Sequence, residues 1–193
     1  MLKLLKPYIN KNNILNIVFI GLITYIFITN MMKRKLLSIK TSDGKVHLVR
    51  DLPDKKKAAE LMGEIKKRMA RLSSHVSKNG NKTLHERFSN AAIHETDLSE
   101  RGTSYSVNKG QELSICLRNK DNKKLHNINL LMFVCIHEMA HLMSESYGHN
   151  EEFNKNFKYL LEEAVKIGVY HSEDYSKNSV DYCGMKVDHN PLF

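Results

Sequence analysis

Apolar and polar positions alternate in two stretches of the chain and recur at three- and four-residue steps in three others, and these patterns lay out most of the elements. Leu37, Ile39 and Thr41 alternate with polar residues, Ser42-Asp43-Gly44 offers a turn, and Val46, Leu48 and Arg50 continue the alternation, which predicts a β-hairpin. Asp51 to Asp54, with Pro53 suited to a first turn, opens a helix whose Leu61, Met62, Ile65, Met69, Leu72 and Val76 form one apolar stripe. Ser77 to Lys82 is a polar loop, and the chain from there to Gly102 has no clean periodicity. Thr103–Asn108 and Glu112–Arg118 flank Lys109-Gly110 and predict a second hairpin, with Leu113, Ile115 and Leu117 alternating with Ser114 and Cys116.

From Ile128 to Ser146 the run is apolar enough for a buried helix, yet it carries His137, Glu138 and His141. Helical positions i and i+4 share a face, so the two imidazoles can converge on one ion while Glu138 points beside it, which is the HExxH zinc signature. Composition gives about 0.03 such matches by chance in a chain of this length. An unpaired carboxylate and two imidazoles in an apolar helix would also be costly to bury.

Catalytic zinc takes three protein ligands and a water, so a third ligand is required. His149 is the strongest nearby candidate, placed after Gly148, whose permissive backbone suits a chain reversal at the helix end. Asn150 then reads as the N-cap of a further helix with Phe153, Phe157, Leu160, Leu161, Ala164 and Val165 on its apolar stripe. Glu151 and Glu152 fall in its first turn, where acids are favoured electrostatically, and Glu145 lies about 80° around the helix from His137, which makes it a weaker rival. The final 25 residues carry short apolar groups and are expected to wrap the domain as loop; Tyr170 and Tyr182 in it, and Tyr147 before it, are candidate donors to an oxyanion.

Charge changes the picture only at the N-terminus. The formal net charge is +9, but residues 1–40 hold seven Lys or Arg and no acid, so the remainder is nearly balanced. A basic face on the first helix, with Lys66, Lys67 and Arg71, fits a solvated surface or anionic headgroups better than nucleic acid, which stays a lesser alternative. Ile14 to Met32 is an apolar run that as a helix would span about 28 Å, close to the roughly 30 Å hydrocarbon core. This predicts a transmembrane helix over residues 13–32 between a basic tail, residues 1–12, and Lys33-Arg34-Lys35; a cleaved signal peptide or a buried core helix fits less well.

The flanking charges nearly tie, so they do not orient the helix. Cys116, Cys135 and Cys183 are sparse and odd in number, which suits free thiols and a domain on the cytosolic, reducing side, whereas the Asn81-Lys82-Thr83 sequon would matter only in a lumen.

HEMAH from His137 to His141, followed by GHNEEF from Gly148 to Phe153, resembles the SprT-like and WLM group of small zinc metallopeptidases, in which the histidine of the second string is the third ligand. Gly168-Val169-Tyr170, Asp174-Tyr175-Ser176 and Tyr182-Cys183-Gly184-Met185 are similar to the C-terminal region of metallopeptidase-like proteins of large DNA viruses. The resemblance covers about Leu113 to Phe193.

Together these readings give an α+β chain: a transmembrane helix, then a small zincin-like domain over residues 33–193. In it a short antiparallel sheet and a first helix occupy 36–118, metal-binding helices 127–168, and a C-terminal wrap 169–193. The expected function is a membrane-anchored, single-pass zinc metalloendopeptidase, virion-associated in one variant of the reading, that acts on a protein or peptide substrate. Zn2+ would be held by His137, His141 and His149, and Glu138 would be the general base. The second hairpin, just before the zinc helix, could offer an edge strand on which an extended peptide pairs. Two alternatives stay open: a non-catalytic anchored binding module on a peptidase fold, and a DNA-associated protease acting on protein–DNA crosslinks.

Overall fold

The computed structural model describes residues 16–26, 36–97 and 102–193, in two units that divide before Leu36. In the first unit, helix α1 covers residues 16–26, about 16 Å of helix against a hydrocarbon core of roughly 30 Å. No helix among the described residues is long and apolar enough to cross a membrane. The expected transmembrane helix and single-pass membrane location are therefore corrected: the length of the apolar run set the expectation, and no described helix meets it. The rest of residues 13–32 lies outside the described residues.

The second unit begins with a hairpin of β1, Leu36–Lys40, and β2, Val46–Arg50, in antiparallel register from Leu36 opposite Arg50 to Lys40 opposite Val46. Gly44 turns the chain with φ +82°, a left-handed conformation that glycine adopts without steric cost. The hairpin packs on α2, Lys55–Lys78, which buries Met62, Ile65, Met69, Leu72 and Val76 completely, as the three- and four-residue spacing requires.

Where the pattern was silent, the chain folds into α3, Lys82–Ser89, and β3, Ala92–Glu95. Helix α3 is two turns long and buries only Leu84, too little apolar surface for a visible stripe; Asn81, the sequon asparagine, caps it by accepting from the Leu84 amide at 3.3 Å. Strand β3 lies parallel to β5, Glu112–Ile115, and β4, Tyr105–Val107, pairs with β5 antiparallel, giving the order β3-β5-β4. The sheet is thus mixed rather than purely antiparallel. A four-residue strand whose partner lies beyond another strand leaves no local signature of direction.

A buried ion cluster joins these layers. Arg118, 1% exposed in its side chain, donates from Nε to Glu95 Oε1 at 2.8 Å and from Nη1 to Asp54 Oδ2 at 2.6 Å. The Arg50 amide donates to the other Glu95 oxygen at 2.7 Å. The ends of β2, β3 and β5 and the start of α2 are thereby tied to one guanidinium, which also holds the Asp54 carboxyl below its ordinary range.

Helix α4, Ile128–Met143, runs through the core and is covered by α5, Glu151–Lys166. The tail is not all loop: β6, Val180–Tyr182, and β7, Met185–Val187, form a hairpin whose turn uses Cys183 at φ +48° and Gly184 at φ +80°. Cys183 is disulfide-bonded to Cys116 at the end of β5, leaving Cys135 as the buried free thiol among the described residues. This corrects the expectation of free thiols and removes the support that cysteine gave to a reducing, cytosolic side. The pair is 67 residues apart and is brought together only by the return of the tail hairpin.

Candidate metal centre

Asn127 starts α4 by accepting from the Leu130 amide at 2.8 Å, and the helix then runs buried on nearly every side, with His137 and His141 half-buried one turn apart. Gly148, at φ +84°, reverses the chain, and Asn150 caps α5 by accepting from the Phe153 amide at 3.0 Å. Between these two fixed points lies His149. Its Nε2 stands 3.0 Å from His137 Nε2 and 3.2 Å from His141 Nε2. Tetrahedral zinc with Zn–N bonds near 2.05 Å places its ligand nitrogens about 3.3 Å apart, so the three imidazoles fit that ion.

The rings stand on an aromatic floor: Phe153 lies 4.8 Å from His137 and 4.4 Å from His141, centroid to centroid, and Phe157 lies 5.2 Å from His137. Burial, reinforced by the neighbouring imidazoles, pushes His137 down to about 3 and His141 to about 4. Both are therefore neutral at pH 7, the form in which imidazole can bind a metal. Glu138, 5% exposed, is pushed up to about 7 by burial, opposed by a hydrogen bond from Ser106 of β4.

The end of α4 is held by donors from remote segments that the sequence pattern did not single out. Arg87 of α3 donates from Nη1 to the Leu142 carbonyl at 2.7 Å and from Nη2 to Glu145 at 2.9 Å, and Lys109 donates to the Ser144 carbonyl at 2.8 Å and to that of Ser146. Cations at a helix C-terminus satisfy its free carbonyls and oppose its dipole. Here they also fix the turn that delivers His149. Gly110 allows the approach, because a β-carbon there would sit 2.9 Å from Leu142 Cγ. A positively charged residue before a glycine, as in Lys109-Gly110, is a weak signal for this role.

Glu145 and Glu152 are not part of the imidazole cluster. Glu145 pairs with Arg87, and Glu152 accepts from the Glu145 amide at 2.8 Å, the Ser146 amide at 3.0 Å and the Ser146 hydroxyl. The Ser146 hydroxyl, then the two amides, hold the Glu152 carboxyl down to about 2. A carboxyl lowered on folding stabilises above its unfolded value, near 4.5, and loses that contribution as pH falls toward the folded one. Glu152→Gln should accordingly lower the melting temperature of metal-free protein at pH 7, with the gap to wild type closing between about pH 5 and pH 2. A gap that stays constant over that range would deny the carboxylate its clasp.

The candidate oxyanion donors separate clearly. Tyr182 is fully buried, with its hydroxyl 2.5 Å from the Ser104 hydroxyl and donating to the Cys116 carbonyl at 2.9 Å, and the buried Tyr170 hydroxyl accepts from Asn190 at 3.0 Å. Tyr147 is 79% exposed beneath Lys109, with the ammonium 4.3 Å from its ring centroid.

The histidines and Glu138 open on a cleft of about 830 Å³. Strand β4, with Tyr105 and Ser106, lines one part of it, and Met185, Lys186 and Val187 of β7 line another. Among the described strands β4 is at the edge of its sheet.

No protein-family model matches the chain. "Uncharacterized protein R325" of Acanthamoeba polyphaga mimivirus is 32% identical to it over 191 residues, which cover 93% of this chain and 97% of that one. Protein 136R of Invertebrate iridescent virus 6 is 34% identical over 92 residues, 46% of this chain and 49% of its own. Protein 042R of Invertebrate iridescent virus 3 is 34% identical over 89 residues, 46% of this chain and 54% of its own. Among solved structures, Wss1 from Saccharomyces cerevisiae superposes with a TM-score of 0.48 and 21% identity, over 60% of this chain and 83% of that one. At that level the likeness decides nothing about chemistry.

Proposed function

We propose that this chain, which belongs to the same family as the mimivirus protein R325, is a zinc-dependent endopeptidase acting on extended protein or peptide segments. The observation that carries this is the meeting of three imidazole nitrogens, 3.0 and 3.2 Å apart, beside the buried carboxylate of Glu138 in an open cleft.

His137, His141 and His149 would hold the ion, which when bound supplies the Lewis acidity that acidifies water and polarises a carbonyl. Three histidines complete that ligand set, so Glu138 is left for proton transfer. It takes a proton from the attacking water and returns it to the departing amine. Ser106 orients the carboxylate from β4. The same strand, at the sheet edge, accepts an extended substrate by backbone pairing and brings its scissile carbonyl toward the imidazoles. Phe153 and Phe157 keep water from the rear of the histidine rings.

Metal analysis by mass spectrometry on the full chain tests the site. Wild type should carry one zinc per chain, and His149→Ala should lose it or bind it at least tenfold more weakly. A folded wild type that binds no zinc, or a variant that binds it undiminished, would overturn the assignment.

A further inference from the structure

A second cavity, of about 820 Å³, shares no lining residue with the zinc cleft. It lies between the β1–β2 hairpin, α2 and the α3–β3 segment, and its lining includes Lys45, His47, Lys66, Lys67, Arg71 and Lys78 but no carboxylate. Of the nearby acids, Glu163 pairs with His75 of the same lining at 2.5 Å, Glu60 accepts from the Ser42 amide at 2.8 Å, and Asp43 accepts from the Thr41 hydroxyl at 2.5 Å and pairs with Lys45 at 3.6 Å.

Two groups in this cavity lack what their surroundings demand. His47 is only 3% exposed, yet neither ring nitrogen has a hydrogen-bond partner among the described residues. A buried polar group left unpaired has given up its hydration with nothing in return. Close to it, Lys66 is partly buried with no ion pair among the described residues, and burial holds its ammonium below the ordinary lysine range. Burial, and then Lys66, lowers the His47 imidazole, against Asp43 and Glu60. Gly63 leaves the ring its room, since a β-carbon there would come within 3.1 Å of His47 Nε2. An unpartnered imidazole and an unpaired cation facing one cavity are complementary to an anion, and a bound anion would satisfy both.

We propose that this cavity is a binding site for a small phosphorylated ligand, whose terminal phosphate seats on His47 and Lys66. Lys67, Arg71 and Lys78 also line the cavity, and Phe88 and Ile93 supply an apolar surface for the rest of the molecule. A terminal phosphomonoester suits the buried His47 imidazole better than a polymer backbone, because a diester carries chain on both sides and cannot present its phosphate end-on. The volume matches a ligand of nucleotide size. The site stands independently of the peptidase reading.

Calorimetric titration of the full chain with inorganic phosphate and with adenosine monophosphate tests it. Both probes should bind wild type with millimolar affinity or better, and the nucleotide more tightly. Lys66→Met, which keeps the aliphatic stem, should weaken both at least tenfold while the melting temperature and zinc content stay at wild-type values. Failure of both probes to bind wild type, or equal binding by the variant, would overturn the proposal. So would binding of an oligonucleotide when neither small probe binds, since that would make the cavity a nucleic-acid track.

Discussion

Glu138→Gln is expected to retain one zinc per chain and the wild-type melting temperature while losing about 10²–10⁴-fold in turnover of an unstructured protein substrate. The amide has the same shape as the carboxylate and can still accept from Ser106, so packing inside α4 is kept. What it lacks is the capacity to take a proton. His141→Ala should instead lose zinc and turnover together, which separates holding the ion from moving the proton. Two results would count against this assignment: full turnover in the glutamine variant would remove the general base, and loss of zinc would make Glu138 a ligand.

The second large effect belongs to stability. Arg118→Ala should cost about 3–5 kcal/mol, because it removes one partner of a buried pair and leaves the other charge in place. Glu95, 1% exposed, would keep the Arg50 amide and the field of the Arg50 side chain but lose its 2.8 Å guanidinium contact, and Asp54 would lose both of its short contacts at the mouth of α2. Arg118 Nη2 already lacks a partner among the described residues, so the cluster is not fully satisfied even in the native chain. Replacing the group with hydrophobic residues of matched volume, Arg118→Met with Glu95→Leu, should therefore recover a large part of the loss. Denaturant unfolding of the single and double variants decides this; a single-variant loss below about 1 kcal/mol would show that the cluster matters little.

Both experiments probe parts of the chain that differ in how openly the sequence displayed them. The site was legible because its residues are close in sequence and each depends on a local rule. His137 and His141 share a helix face, Gly148 takes the left-handed turn, and Asn150 caps the next helix, so thirteen consecutive residues hold every imidazole of the cluster. The hairpin at β1–β2 and the stripe of α2 were legible for the same reason.

Arg118 was not, because a lone arginine after a strand looks like any edge residue until Glu95 and Asp54 arrive from elsewhere in the chain. The same holds for Arg87 and Lys109, which cap α4 from outside it. The tail hairpin carried one missed signal. Cys183-Gly184 is a two-residue turn with both φ values positive, but cysteine in its first position hid the usual Asn-Gly or Asp-Gly mark. At the N-terminus the error ran the other way, since a clear apolar run was read as a membrane span and no helix among the described residues is long and apolar enough for one.

The bond between Cys116 and Cys183 encloses α4, α5 and the whole imidazole cluster in one covalent ring. A cut by any protease at an exposed loop between those cysteines would open the ring without releasing either piece. The nicked chain would migrate as a single band on a gel without reductant and as two with it.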